Sequence, residues 1–255
     1  MPDLYHTLTG PADAPVVLLL HGLGACGDDW RMQVPALVAR YRVLAVDLPG
    51  HRHSAPARGL PSIPRMAVAV ERLLDTLSID HVHVVGLSLG GCVGLALALH
   101  APARARSLVL VNTCARLRPG PRAMARGALR CLLALAAPMR IVAAYVARET
   151  FPEPEQSELR AAAAERLAAN PRRRYVASLA ALLRFDVEKR LGEIRCRTLV
   201  VAGARDATIP LAAKAMLARS IPGASLHVVE DSGHVTPFDQ AATFNRLLLD
   251  HLAGI

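Results

Sequence analysis

The chain has 255 residues, of which 53% are hydrophobic and 20% are charged, and its formal net charge is +9. This length suits one α/β domain with an inserted segment, and no run of about 18 apolar residues is free of charge and proline, which excludes a membrane-spanning helix. The sequence has no helix-turn-helix, zinc-finger or RNA-binding motif, so its basic character does not indicate a nucleic-acid-binding protein.

Residues 1–6 lack a basic region followed by an apolar one, so we predict no secretory signal and a cytoplasmic location. The five cysteines stand at scattered spacings without a Cys-x-x-Cys pair, which favours reduced thiols in a cytosol. Nearly all of the excess positive charge lies in residues 115–190, where 14 Arg and one Lys oppose seven Asp and Glu, a balance of +8. Such a patch can attract an acidic partner.

Apolar runs of strand length alternate with amphipathic segments of helix length, the rhythm of a mostly parallel sheet with helices on both faces. We predict strands over 4–9, 16–20, 42–46, 82–85, 107–111, 198–202 and 225–229. We predict helices near 29–38, over 65–77 and 89–99, from 211 onward, and over 238–252.

The strand pattern stops in residues 114–190, where Ala-, Leu- and Arg-rich helical stretches are separated by prolines. We therefore predict an α/β core domain made of residues 1–113 and 191–255, with residues 114–190 inserted as a helical cap, or lid. Ligands of such sheets bind beyond the carboxyl ends of the strands. The insertion is expected to roof that crevice.

The segment Gly86-Leu87-Ser88-Leu89-Gly90 joins an apolar run to a helix-forming one. Gly-x-Ser-x-Gly between a strand and a helix is the pattern of a nucleophile elbow, which exposes a serine hydroxyl on a strained turn. The glycines allow the strand and the helix to approach closely. Ser88 is therefore the predicted nucleophile.

A serine nucleophile needs a base, and the base needs a carboxylate that orients it and stabilises its charged form. Asp206 closely follows the strand that ends at Ala202, and His234 follows the strand that ends at Val229. The chain order Ser88, Asp206, His234 is that expected for this class of sheet. We predict these three as the catalytic residues.

The negative charge that develops on the substrate oxygen requires backbone N–H donors. The predicted donors of this oxyanion hole are Leu89, at the start of the helix, and Leu23, in the loop after the first buried strand. We interpret His21 as a structural side chain hydrogen-bonded below that loop. Asp47 is expected to organise its own loop rather than to take part in catalysis.

Five motifs together resemble the α/β-hydrolase superfamily, over nearly the whole chain. They are His21-Gly22, Asp47-Leu48-Pro49-Gly50-His51, Gly86-x-Ser88-x-Gly90-Gly91, Gly203-x-x-Asp206 and Gly233-His234. The resemblance implies an α/β fold with a mostly parallel sheet and a helical cap after the sixth strand. The sheet is expected to have seven or eight strands, because the N-terminal segment is short for the usual opening hairpin. Small capped carboxylesterases and lactonases, such as enol-lactonases and pimeloyl-carrier methyl-ester esterases, are the most similar branches.

Arg52 departs from the family pattern, which usually has glycine after Pro-Gly-His. Its guanidinium offers a bidentate contact to a substrate carboxylate or phosphate, and the alternative is a solvated loop arginine. The cluster His51, Arg52, His53 has no metal-ligand spacing, so we predict neither a metal nor a cofactor.

The leading functional hypothesis is a serine hydrolase that cleaves a small-molecule carboxylic ester, lactone or thioester through an acyl-serine. Carbon–carbon bond hydrolysis or lyase chemistry on the same residues and a non-catalytic ligand receptor stay open as alternatives. Arg122, Arg126 and Arg130 recur every four residues and share one helix face. They predict docking of an acidic acyl carrier protein, with a solubilising face as the alternative.

Overall fold

The computed structural model describes residues 4–57, 59–117 and 121–254. Seven strands form one sheet in the order β1-β3-β2-β4-β5-β6-β7. They are β1 (His6–Thr9), β2 (Val16–Leu20), β3 (Arg42–Val46), β4 (Val82–Leu87), β5 (Ala105–Val111), β6 (Arg197–Gly203) and β7 (Ser225–Val229). The edge strand β1 is antiparallel to β3, and the other pairs are parallel. The predicted mostly parallel sheet is confirmed, with seven strands.

Both faces of the sheet are buried, which explains why its central strands are mostly apolar. In β2, Leu18 and Leu20 belong to the core on one face, whereas Val17 and Leu19 belong to the core on the other. Successive side chains of a strand point to opposite faces, so a strand covered by helices on both sides carries apolar residues on both of its faces.

Ten α-helices occur in the described part of the chain. They are α1 (Val34–Leu37), α2 (Ile63–Thr76), α3 (Leu89–His100), α4 (Pro121–Ala136), α5 (Met139–Thr150), α6 (Ser157–Ala168), α7 (Arg172–Leu183), α8 (Leu211–Ser220), α9 (Thr236–Asp239) and α10 (Ala241–Ala253). None of the helices in these residues is long and apolar enough to cross a membrane.

Two predicted helices differ from the observed ones. The helix predicted near 29–38 is a 3-10 turn, Gly27–Trp30, followed by the four-residue α1, because Pro35 has no N–H to donate to the carbonyl of Arg31. The helix predicted over 238–252 is divided into α9 and α10 at Gln240, whose backbone is not helical, with φ −133° and ψ 45°.

Four helices, α4 to α7, lie between β5 and β6, in the region predicted as the insertion; we call them the inserted helices. They share a small apolar core that includes Val142, Val146 and Leu179. The two connections to the sheet lie side by side, since Arg116 forms a β-bridge with Asp186 and Val187 N donates to Ala115 O at 3.0 Å. The inserted helices thus leave and rejoin the sheet at one place.

Candidate active site

Ser88 stands on the turn between β4 and α3. Its backbone has φ 52° and ψ −111°, a conformation that costs a non-glycine residue roughly 1–3 kcal/mol and persists only where its surroundings enforce it. Ser88 N donates to Val111 O at 2.9 Å, and Ser88 O accepts from Thr113 Oγ1 at 2.7 Å. The end of β5 therefore holds the strained turn in place.

Gly86 and Gly90 are required by the close packing around this turn. A Cβ atom on Gly86 would collide with the carbonyl oxygen of Gly90, and one on Gly90 with that of Leu20. Backbone atoms cannot move aside as a flexible side chain can. The Gly-x-Ser-x-Gly pattern is thus explained by contacts between β4, α3 and the end of β2.

Asp206 and His234 are joined by a hydrogen bond from ring to carboxylate. His234 Nδ1 lies 3.0 Å from Asp206 Oδ2, and the Asp206 side chain is fully buried. The other carboxylate oxygen accepts from Thr208 N at 2.8 Å and from Ile209 N at 3.1 Å. Because Nδ1 faces the carboxylate, Nε2 points away from it and is free of that contact. Nε2 is therefore the ring nitrogen that can accept a proton.

The carboxyl group of Asp206 is ionised. Burial alone would raise its pKa, but the attraction of His234, followed by that of Lys214, outweighs the burial and lowers the pKa well below the usual range. A permanent negative charge beside the imidazole stabilises the imidazolium form.

Lys214 was missed by sequence reasoning. It lies on α8, is fully buried, and its Nζ is 2.9 Å from Asp206 Oδ2, the oxygen that also contacts His234. The available signal was a charged residue within an otherwise apolar stretch, Leu211-Ala212-Ala213-Lys214-Ala215-Met216-Leu217. A charge in such a stretch equally fits the solvent face of an amphipathic helix.

Asn112 was also missed, and it connects three loops at the carboxyl edge of the sheet. Its Nδ2 donates to Gly233 O at 3.1 Å and to His234 O at 3.0 Å. Its Oδ1 accepts from Gly203 N at 2.7 Å and from Lys214 Nζ at 3.1 Å. Asn112 therefore fixes the loop of His234 relative to that of Asp206.

Ser88 and His234 both line a cavity of about 410 Å³. All four inserted helices line it, and many of their contributions are apolar, for example Val146, Leu167 and Leu179. The predicted roof over the carboxyl edge of the sheet is thus where the inserted helices lie. The cavity has room for a small organic molecule.

The predicted oxyanion donors are Leu23, in the loop after β2, and Leu89, directly after Ser88. Leu23 lines the cavity, and Leu89 is the first residue of α3, where backbone N–H groups have no partner within the helix. Gly24 has φ +79°, and a Cβ atom there would collide with Leu167 of α6. Asn170 Nδ2 donates to Gly24 O at 2.8 Å, so the connection between α6 and α7 is hydrogen-bonded to this loop.

His21 and Asp47 hold the loops beside the cavity. His21 Nδ1 donates to Gly22 O at 2.8 Å, and its Nε2 accepts from Leu48 N at 2.9 Å. Burial lowers the pKa of His21 to about 4, so the ring is neutral. Asp47 accepts from Gly27 N at 2.7 Å and from His53 N at 3.2 Å.

Arg52 is exposed, with a left-handed backbone at φ 45°, and it is not among the residues that line the cavity in the described part of the chain. The position of Arg52 therefore gives no support to its predicted contact with the substrate.

Arg126 and Arg130 both lie on the cavity wall, which the helical spacing alone could not reveal. Arg126 pairs with Glu149 at 3.3 Å and donates to Ala207 O at 2.9 Å. Arg130 Nε donates to Tyr175 Oη at 2.7 Å. The side chain of Arg122 lies outside the described residues. Docking of an acyl carrier protein at these arginines stays a prediction.

A serine on a strand-to-helix turn that shares a cavity with a histidine is the arrangement of hydrolases built on such a sheet. A family model for the alpha/beta hydrolase fold matches residues 15–241, and the chain belongs to this family.

Three of the similar proteins carry hydrolase names. A provisionally named carbamate hydrolase RutD of Stutzerimonas stutzeri is 39% identical, over 94% of this chain and 92% of its own length. The crystal structure of a hydrolase from Pseudomonas aeruginosa is 35% identical, with a TM-score of 0.89 over 98% of this chain and 94% of that one. The enol-lactonase of Burkholderia xenovorans is 28% identical, with a TM-score of 0.90 over 98% and 96% of the two chains.

Proposed function

We propose that this protein is a serine hydrolase that cleaves a small carboxylic ester, lactone or thioester through an acyl-serine intermediate. One observation carries the proposal: Ser88, on a strained turn, lines the same cavity as His234, whose Nδ1 lies 3.0 Å from the buried carboxylate of Asp206. A nucleophile, a base and an orienting acid are the three parts that acyl transfer requires.

In the proposed reaction, Ser88 Oγ attacks the carbonyl carbon and its proton passes to His234 Nε2. The carbonyl oxygen becomes negative and accepts hydrogen bonds from the N–H groups of Leu23 and Leu89. The tetrahedral intermediate then collapses, and His234 returns the proton to the leaving oxygen or sulfur. A water molecule, deprotonated by His234, attacks the acyl-serine, and His234 then returns this proton to Ser88 Oγ as the acid leaves. Asp206 keeps its charge throughout and stabilises the imidazolium.

A carbamate is the second candidate substrate, supported by the name of the relative at 39% identity. The same residues suffice for it, because a carbamate also presents a carbonyl carbon with a leaving group. Ser88 would then carry a carbamoyl group instead of an acyl group. The apolar part of the cavity wall favours a substrate with a hydrocarbon portion.

The test uses a fluorophosphonate probe together with a panel of short p-nitrophenyl esters, a lactone and an aryl carbamate. We expect the probe to label Ser88, and Ser88→Ala to abolish labelling and lower kcat by about a thousandfold or more. Ser220→Ala, at the last residue of α8 and outside the cavity wall, is the control and should label like the wild type. Absence of both labelling and turnover in the wild-type protein would contradict the proposal. The relative kcat/KM values for ester, lactone and carbamate identify the preferred class.

A further inference from the structure

The buried cation beside Asp206 has no part in the reaction scheme above. Lys214 Nζ lies 2.9 Å from Asp206 Oδ2, 3.1 Å from Asn112 Oδ1 and 3.1 Å from Gly203 O. All three partners are acceptors, and an amino group can donate three hydrogen bonds only as an ammonium ion. The geometry therefore requires Lys214 to be charged, although burial lowers its pKa.

We propose that Lys214 is a positioning residue of the reaction, which fixes the Asp206 carboxylate and offsets part of its negative charge at His234. The inference rests on the proposed function. Its basis is one shared atom: Asp206 Oδ2 contacts Lys214 Nζ on one side and His234 Nδ1 on the other. A carboxylate between two cationic partners stabilises each of them less than it would stabilise one alone.

The shared oxygen has a consequence for the base. An unopposed buried carboxylate favours the protonated imidazole strongly, which removes the base at mildly acidic pH. The ammonium ion of Lys214 offsets part of that negative charge, so the carboxylate favours the protonated form of the imidazole less than it would alone. Lys214 acts through Asp206 and is not itself among the residues that line the cavity in the described part of the chain.

Other charged groups face this cluster as well. Asp206 is faced by groups from three elements, which are Lys214 of α8, His234 of the loop after β7 and the thiol of Cys114 after β5. Asp239 of α9 lies near both His234 and Asp206. Lys214 is the permanent cation of this set, so its neutral variants isolate the effect.

The first experiment measures kcat/KM against pH for the wild type, Lys214→Met and Lys214→Gln. We expect the acidic limb of the profile to move up by about one pH unit in both variants, with a lower plateau. Lys189→Met is the matched control, since Lys189 is exposed and is the other lysine of the chain. A lowered plateau with an unmoved limb would show a purely structural lysine and overturn the proposal.

A second measurement needs neither variants nor activity. The chain contains two lysines, so NMR of protein labelled with nitrogen-15 in its lysines gives two side-chain signals. The buried one should report an ammonium ion at neutral pH and shift as His234 titrates. A neutral amine at neutral pH, or a signal that ignores the His234 titration, would overturn the proposal even in a fully folded protein. If no ester or carbamate is cleaved and Ser88 is not labelled, the proposed function fails, whereas this signal still tests the contact.

Discussion

Arg130 contributes a positive charge to the cavity wall. It donates to Tyr175 Oη, and its guanidinium lies 5.5 Å from the centre of that ring. No carboxylate of the described residues forms an ion pair with it, whereas Arg126 on the same helix pairs with Glu149. An unpaired guanidinium in a cavity is suited to a negatively charged group on the substrate.

Replacing Arg130 tests whether the enzyme prefers anionic substrates. We expect Arg130→Met to raise KM about tenfold for the p-nitrophenyl monoester of a dicarboxylic acid, the loss of one charged hydrogen bond, and to leave KM for a neutral ester of equal length unchanged. Arg140→Met, at an exposed position of α5, is the control. An equal rise for both esters would show that Arg130 shapes the wall without recognising charge.

The candidate site residues that a local motif marks could be predicted from the sequence. Those that packing brings to the site could not. Ser88 is marked by its glycines, and Asp206 and His234 by the strands that precede them. Lys214 and Asn112 reach the site from α8 and from the end of β5, with no motif to mark them. Helical spacing placed Arg126 and Arg130 on one face, but the direction of that face depends on how α4 packs on its neighbours.

The connection between α6 and α7 controls the loop that carries Leu23. Asn170 is 6% exposed and donates to Gly24 O at 2.8 Å. Asn170→Ala removes this donor and leaves a buried carbonyl without its partner, which costs about 1–3 kcal/mol. We expect a lower midpoint of unfolding and, because the oxyanion loop is freed, a kcat about tenfold lower.

The control for this variant is Asn245→Ala on α10. Asn245 Nδ2 donates to Met32 O at 2.9 Å, an exposed side-chain-to-backbone bond, and neither residue lines the cavity. Thermal unfolding and steady-state kinetics separate the two effects. If Asn245→Ala lowered kcat as much as Asn170→Ala, general loosening would explain the result and the loop would have no special role.

Element order was readable from the sequence because each buried strand is a mostly apolar run. The boundaries at α1 and α9 were not: Pro35 interrupts the first of these helices, and tertiary contacts end the second. Asp239, the last residue of α9, accepts from Gly233 N at 2.7 Å and from Ser232 Oγ at 2.8 Å. The short helix is therefore tied to the loop of His234, a use that a periodic pattern in the sequence does not encode.

The whole molecule contains several histidines that fold in the neutral form. Burial lowers the pKa of His21, His83 and His251 to about 4 each, and it lowers that of His51 further, to about 3. In the unfolded chain these rings titrate near the ordinary value of 6.5. As the pH falls below that value, the unfolded state therefore binds protons that the native state does not bind, and the free energy of unfolding decreases.

We expect the free energy of unfolding to fall steadily from about pH 6.5 toward about pH 4, approaching about 1.4 kcal/mol per pH unit for each buried histidine. The raised pKa of Asp239 opposes this trend. Asp239 contributes one protonation site, however, whereas the buried histidines contribute four. Denaturant unfolding across this range measures the slope. His83→Gln should reduce the slope by about a quarter, whereas His81→Gln, at an exposed position, should leave it unchanged. A stability that stayed flat over this range would mean that the native protein opens to admit protons at these rings.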